Sequence, residues 1–314
     1  MAHNHAHGHC GHAHGMAAGR VTQFRLAASV GLTLAFVACE ATAGYWANSL
    51  ALLSDAGHNF ADAAALVLSW YALRVAERPS TRGMTFGFHR VGILAALINS
   101  CSLVLMAVLI FWDALARLRS PGEVQGIAMI VTALIAVGLN LAIGLWLHSG
   151  RHDLNVRSAY IHMLGDAVSA VGVVVAGIIV EATGAAIADP IVSLLIAVLI
   201  LWSSWGILKE SVTVLLEGTP AGLDMAAVEA DIRAVPGVLD AHDLHVWMIG
   251  AGVIACSCHV VVAEQSVTSG QQVLRAIVEA LHSKFQINHT TIQIEAQGCE
   301  QGAMYCNVEP LRGE

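Results

Sequence analysis

Apolar positions run through the first two thirds of the chain in long blocks. About 20 such residues make a helix that crosses a hydrocarbon layer. Windows of that length fall six times, at Phe24–Tyr45, Leu50–Val75, Val91–Trp112, Val124–Leu147, Ala159–Val180 and Ile187–Leu208. Beyond them the pattern shortens and becomes amphipathic. Asp224–Ala234 reads as a helix, Val238–Ile249 and Val253–Ala263 as strands around a Gly250-Ala251-Gly252 turn, Val267–Phe285 as an amphipathic helix, and Ile287–Ala296 as an alternating strand. That order, αββαβ, suits a small α+β sandwich of the ferredoxin-like kind.

Composition agrees with a chain that sits mostly in lipid. Hydrophobic residues make up 56% and charged residues 12%, against roughly 25% charged in an ordinary soluble domain. Positive charge flanks the spans unevenly. Arg20, Arg25, Arg74, Arg78, Arg82, Arg90, Arg151, Arg157 and Lys209 fall on one side, and Arg117 and Arg119 on the other. The positive-inside rule then places both termini in the cytoplasm, which an even number of spans allows. The expected fold class is an α-helical membrane protein with six transmembrane helices followed by a cytoplasmic α+β ferredoxin-like domain. Its parts are a 1–20 tail, a 21–208 membrane domain and a 209–314 cytoplasmic domain. In a bacterial cell this is a multi-pass protein of the inner membrane. The start of the chain is unlike a basic-then-apolar leader, so no cleaved secretory signal is expected.

The last segment, 209–314, holds five Lys or Arg against thirteen Asp or Glu, so it carries the whole net charge of −8. An acidic surface argues against nucleic acid as a partner, since that needs a basic footprint.

Chemistry enters with two repeats inside the apolar blocks, His58-x-x-x-Asp62 and His162-x-x-x-Asp166. Residues four apart share a helix face, so each repeat presents an imidazole and a carboxylate together. A charged group near the bilayer centre costs about 2.5 to 3.5 kcal/mol and usually lines a substrate or ion path. One such pair reads as a polar contact between helices. Two of them form a tetrahedral nitrogen and oxygen ligand set for a zinc-like divalent cation.

Further motifs fix a family. The Ser54-Asp55-Ala56-Gly57-His58-Asn59-Phe60-Ala61-Asp62 stretch, the Thr85-Phe86-Gly87-Phe88-His89-Arg90 stretch, the His162/Asp166 pair and the His242-Asp243-Leu244-His245-Val246-Trp247 opening of the tail together resemble the cation diffusion facilitator zinc transporters. The resemblance covers nearly the whole chain. It implies a homodimer whose protomers each exchange cytoplasmic zinc for protons by alternating access. It also implies that His58, Asp62, His162 and Asp166 are the transport ligands, and that His242, His259, His289 and Glu295 are peripheral metal ligands in the tail. Zn2+ is then the substrate and a candidate regulatory ligand. Loading would expel protons from these groups and reprotonation would expel the metal, which couples the two fluxes.

Other residues carry weaker expectations. Asp55, on the face of His58 and Asp62, is either an accessory carboxylate in an outward vestibule or a polar residue near a helix start. Asn59 and Ser169 are expected to support the site or to pack. His89 opens the third span and is a second accessory candidate, although Pro79–Phe88 supplies no further histidine or carboxylate. His245 is expected to pack near Trp247. The tract His3, His5, His7, His9, Cys10, His12 and His14 has too little apolar surface for a core and reads as a disordered metal collector or a tag. Cys256 and Cys258 alternate on one strand face, as metal ligands or as small core residues. Cys299 and Cys306 are too widely spaced for a Cys-x-x-Cys pair, and no disulfide framework is expected among the seven cysteines. A metal sensor or storage protein would have no use for ligands buried on spanning helices. An intramembrane metallohydrolase would need a His-Glu-x-x-His motif or a separate general base, which the sequence lacks. Cobalt, nickel or cadmium would suit much the same donors, so the metal preference stays open.

Overall fold

The computed structural model describes residues 31–148, 154–250 and 252–296, with the side chains of 146–148, 154–159 and 161–162 excepted. Its elements are α1 (residues 31–47), α2 (Leu50–Ala76), α3 (Val91–Arg119), α4 (Gly126–His148), α5 (Leu154–Thr183), α6 (Ala188–Leu215), α7 (Met225–Arg233), β1 (Val238–Gly250), β2 (Val253–Val262), α8 (Val267–Phe285) and β3 (Ile287–Glu295). The His-rich tract and Cys299 and Cys306 lie outside the described residues. The described residues divide into two compact units, one within 31–67 and 99–205, the other within 68–98 and 206–296.

In the first unit the helices pack through small side chains. Ala47, Ala51, Ala107, Ala133, Ala176 and Ala197 sit in one buried cluster with Leu52, Met129 and Val173. Small residues let helix backbones approach closely, the main packing device where lipid tails remove the hydrophobic drive between helices. The α4–α5 contact shows this directly. A Cβ on Gly126 would lie 2.8 Å from the Gly177 carbonyl oxygen and 2.8 Å from the Glu181 nitrogen. Large apolar side chains such as Trp112, Leu145 and Trp202 point outward. Four helical stretches among the described residues are long and apolar enough to cross a membrane: Val91–Arg119, Gly126–Leu145, Met163–Thr183 and Ala188–Leu215. At 27 residues α2 is as long as these, but Asp55, His58, Asn59 and Asp62 make it too polar to join them.

The connections at the Leu50 end of this unit are tied by side chains. Asp189 of α6 is fully buried and accepts hydrogen bonds from Ser49 Oγ (2.5 Å) and from the Leu50 and Ala51 backbone nitrogens (2.8 and 3.1 Å). A helix start leaves such N–H groups without partners inside the helix. A residue from another helix therefore caps α2.

In the tail, α7, β1, β2, α8 and β3 follow the order read from the sequence, with ends within two residues of those expected. Asp224 caps α7 and Ser266 caps α8. The sheet order is β1-β2-β3, with β1 antiparallel to β2 and β3 parallel to β2. One core joins Val228 and Ile232 of α7, Val273, Ile277 and Leu281 of α8, and Leu244, Val246, Cys256, Cys258 and Val260 of the sheet. Both helices thus cover one face, in two layers. Every residue of this core comes from 223–292, so the tail has a hydrophobic interior of its own.

Candidate metal centres

The first centre is built on α2 and α5. Helical spacing brings His58 and Asp62 together, with Nε2 of His58 3.4 Å from Oδ2 of Asp62. The same Nε2 is 3.9 Å from Oδ1 of Asp166 on α5. Donor atoms around one tetrahedral zinc at ordinary bond lengths stand ~3.4 Å apart. Each carboxylate is therefore within reach of an ion held by the His58 nitrogen, one from its own helix and one from α5. Asp166 is buried, and His58 and Asp62 are partly exposed. His162 lies on α5 one turn before Asp166, and its side chain is outside the described residues.

Asp55 is the sixth residue of α2, past the capped first turn, and only 1% exposed. Its Oδ1 accepts a hydrogen bond from Ser169 Oγ of α5 at 3.1 Å, and Asn59 is buried beside the same helix face. Glu40 of α1, which the apolar-block reading passed over, is fully buried as well. An ionisable residue in the middle of a 20-residue apolar window was the signal available for it.

The second centre lies on the sheet face opposite α7 and α8. His242 pairs with His259 across β1 and β2, and Glu295 stands opposite Val261 on β3. His242 Nε2 is 3.4 Å from Glu295 Oε2, and His259 Nδ1 is 3.1 Å from Glu295 Oε1. One donor atom from each of the three falls within 4.8 Å of the others, the only such group of three among the described residues. Gln293 Nε2 donates to Glu295 Oε1 at 2.7 Å and orients that carboxylate. Two imidazoles and a carboxylate fit zinc, with a fourth position left for water or another ligand.

A bulge makes this face possible. Residues 242 and 245, three apart, would point to opposite faces of a regular strand. The register shifts between His242 and His245, where Asp243 has φ of 52°. The extra residue returns His245 to the face of His242. Asp243 then reaches two imidazoles, with Oδ1 3.1 Å from His245 Nε2 and Oδ2 3.8 Å from His259 Nε2. Strand alternation hides such a bulge, so Asp243 was not singled out from sequence.

The remaining candidates stand apart. His289 is opposite Ala255 on β3, six residues from Glu295, and meets Phe86 edge to face at 5.6 Å between ring centres. It does not join the His242/His259/Glu295 group. His89 lies against the hairpin, where a Cβ on Gly250 would come within 2.8 Å of its carbonyl oxygen. His245 lines a cavity with Trp247, Phe86, Phe88 and His89. Cys256 and Cys258 sit in the core on the other face, and the neighbouring Cys258 together with burial pushes the Cys256 thiol up. Both cysteines are packed among Val246, Val260 and Ile277, away from the face that carries His242 and His259.

Comparison with known proteins accounts for both parts of the chain. Residues 26–216 match the family model of the cation efflux transmembrane domain, and residues 220–297 that of the cation efflux protein cytoplasmic domain. The chain is 38% identical over 303 residues to the cation efflux system protein CzcD of Alcaligenes sp. (strain CT14), covering 96% of this chain and 95% of the relative. It is 40% identical over 278 residues to the zinc transporter ZitB of Escherichia coli, covering 88% of each. A cadmium, cobalt and zinc/H(+)-K(+) antiporter of Bacillus subtilis is 36% identical over 266 residues, 83% of this chain and 85% of the relative.

Proposed function

The chain belongs to the cation efflux family, also called cation diffusion facilitators, whose members are membrane metal transporters and not enzymes, and we propose that this member exports zinc in exchange for protons through the α2–α5 site. The observation that carries the reading is the approach of two carboxylates, Asp62 from α2 and Asp166 from α5, to the same nitrogen of His58. His162, one turn from Asp166, completes a set of two nitrogens and two carboxylates. Zinc requires neutral imidazole and ionised carboxylate, so protons and metal compete for the same atoms. That competition is enough to link the two fluxes. The names of the relatives, which include zinc transporters and a metal/proton antiporter, support the same reading.

Six spans, cytoplasmic termini and a ferredoxin-like tail belong to this proposal. With the positive flanks inside, α2 starts at the outer surface and runs inward to Arg74 and Arg78. The working unit is a homodimer, consistent with the family of the tail domain. Uptake by sealed inside-out vesicles tests the activity across zinc, cadmium, cobalt and nickel, with and without a proton gradient. Zinc uptake that rises with the gradient is expected, and vesicles that take up none of the four metals would overturn the reading.

The tail centre is proposed as a regulatory site. Thirteen acidic side chains on a small domain repel a second copy, and divalent ions held by His242, His259 and Glu295 would offset that repulsion. Because the tail has its own core, residues 209–314 are expected to fold alone and to associate more strongly with zinc in sedimentation. The response should fall in a His242→Ala, His259→Ala variant. Association that ignores zinc would leave these histidines a structural role only.

A further inference from the structure

Two buried carboxylates lie beside the α2–α5 site without being part of it. Glu40 of α1 is 0% exposed and Asp55 of α2 is 1% exposed. Among the described residues, neither carboxylate oxygen of Glu40 has a partner at hydrogen-bond geometry, and Oδ2 of Asp55 has none. The groups that act on Glu40 are Asp55, Asn59 and Asp166, and those that act on Asp55 are Ser169, His58 and Glu40. No lysine or arginine is among them. Burying two carboxylates side by side with only one imidazole nearby is costly, and buried acidic groups are normally paired or coordinate a cation.

The donor set is made of oxygen: two carboxylates, the Asn59 amide and the Ser169 hydroxyl. Carboxylate oxygens bind zinc, but without imidazole they suit hard cations better, so they hold zinc less tightly than a set with two histidines. Position matters as much as chemistry. Asp55 precedes His58 by three residues, which is ~4.5 Å along the helix toward the Leu50 end of α2. A path through a membrane works when each site binds well enough to accept an ion and weakly enough to pass it on.

We propose that Glu40 and Asp55 form a second, weaker divalent-cation subsite, which receives zinc as it leaves His58, Asp62 and Asp166 toward the Leu50 end of α2. This rests on the export reading, in which that end faces outward. The subsite divides release into two shorter steps. Its oxygen donors also give the departing ion partners in a region otherwise closed to water. Ser169 orients Asp55, and Asn59 of α2 acts on Glu40.

The test uses the full-length protein carrying His242→Ala and His259→Ala, so that the tail contributes no tight binding. Zinc binding is titrated calorimetrically in detergent, and transport is measured in proteoliposomes as a function of zinc. Glu40→Gln keeps the shape and removes the charge. It is expected to lose one weak zinc equivalent per chain, to leave the Kd of the tight site unchanged, and to lower the maximal transport rate on the order of tenfold. Asp55→Asn should behave in the same way, and Glu40→Asp should restore part of the rate. Wild-type maximal rate in Glu40→Gln overturns the subsite. So does a slowed variant that keeps the full zinc stoichiometry and shifts only the pH profile of transport, because the pair would then carry a proton and not the metal. Absence of the tight site in the otherwise wild-type protein would instead sink the export reading itself.

Discussion

Asp62→Ala and Asp166→Ala are each expected to abolish zinc transport while leaving a folded, membrane-inserted protein. Each change removes a carboxylate from the point where α2 and α5 meet, 3.4 and 3.9 Å from the same imidazole nitrogen. Loss even of an outer partner of a metal ligand typically costs 10- to 100-fold in affinity or activity, so loss of a ligand should cost at least about 100-fold. Neither position is in the alanine-rich helix core, so packing should survive. Zinc flux at the wild-type rate in either variant would show that the site is misplaced.

The largest effect on stability is expected at Asp189. Its two oxygens satisfy Ser49 Oγ and the first backbone nitrogens of α2, and Arg117 lies 4.0 Å away while donating to the Asn48 carbonyl oxygen at 2.6 Å. Asp189→Ala leaves these buried donors without an acceptor. An unsatisfied buried donor costs about 1 to 3 kcal/mol, so the sum should reach roughly 3 kcal/mol or more. Asp189→Asn keeps one acceptor and should lose less. Thermal unfolding in detergent reads the difference, and transport should weaken in step because α2 carries His58 and Asp62. An alanine variant that melts with the wild type would show that α2 does not depend on this cap.

What the sequence disclosed follows from what has a period. Long apolar blocks marked the helices, and alternation and amphipathic spacing marked the tail, because both reflect burial on one face. The His/Asp repeats were legible because an ionisable pair at helical spacing is conspicuous among apolar neighbours. Asp55 was harder to place. Its sequence neighbours do not tell that α1 brings Glu40 against it or that Ser169 arrives from α5. Asp189 was missed for a related reason, since its partners lie about 140 residues away in the chain. On β1 the bulge at Asp243 reverses the parity of the strand, and no pattern of side chains announces it. His289 shares the alternation of Glu295 along β3, but lies too far along the strand to meet the histidines of the other two.

The central claim is that one set of ligands serves both zinc and protons. Purified protein in sealed liposomes, loaded with a zinc-sensitive and a pH-sensitive dye, allows both movements to be followed at once. Zinc added outside should enter as protons leave through molecules oriented with the tail outward, and both signals should vanish together in Asp62→Ala. Zinc entry with no accompanying proton movement would contradict the account.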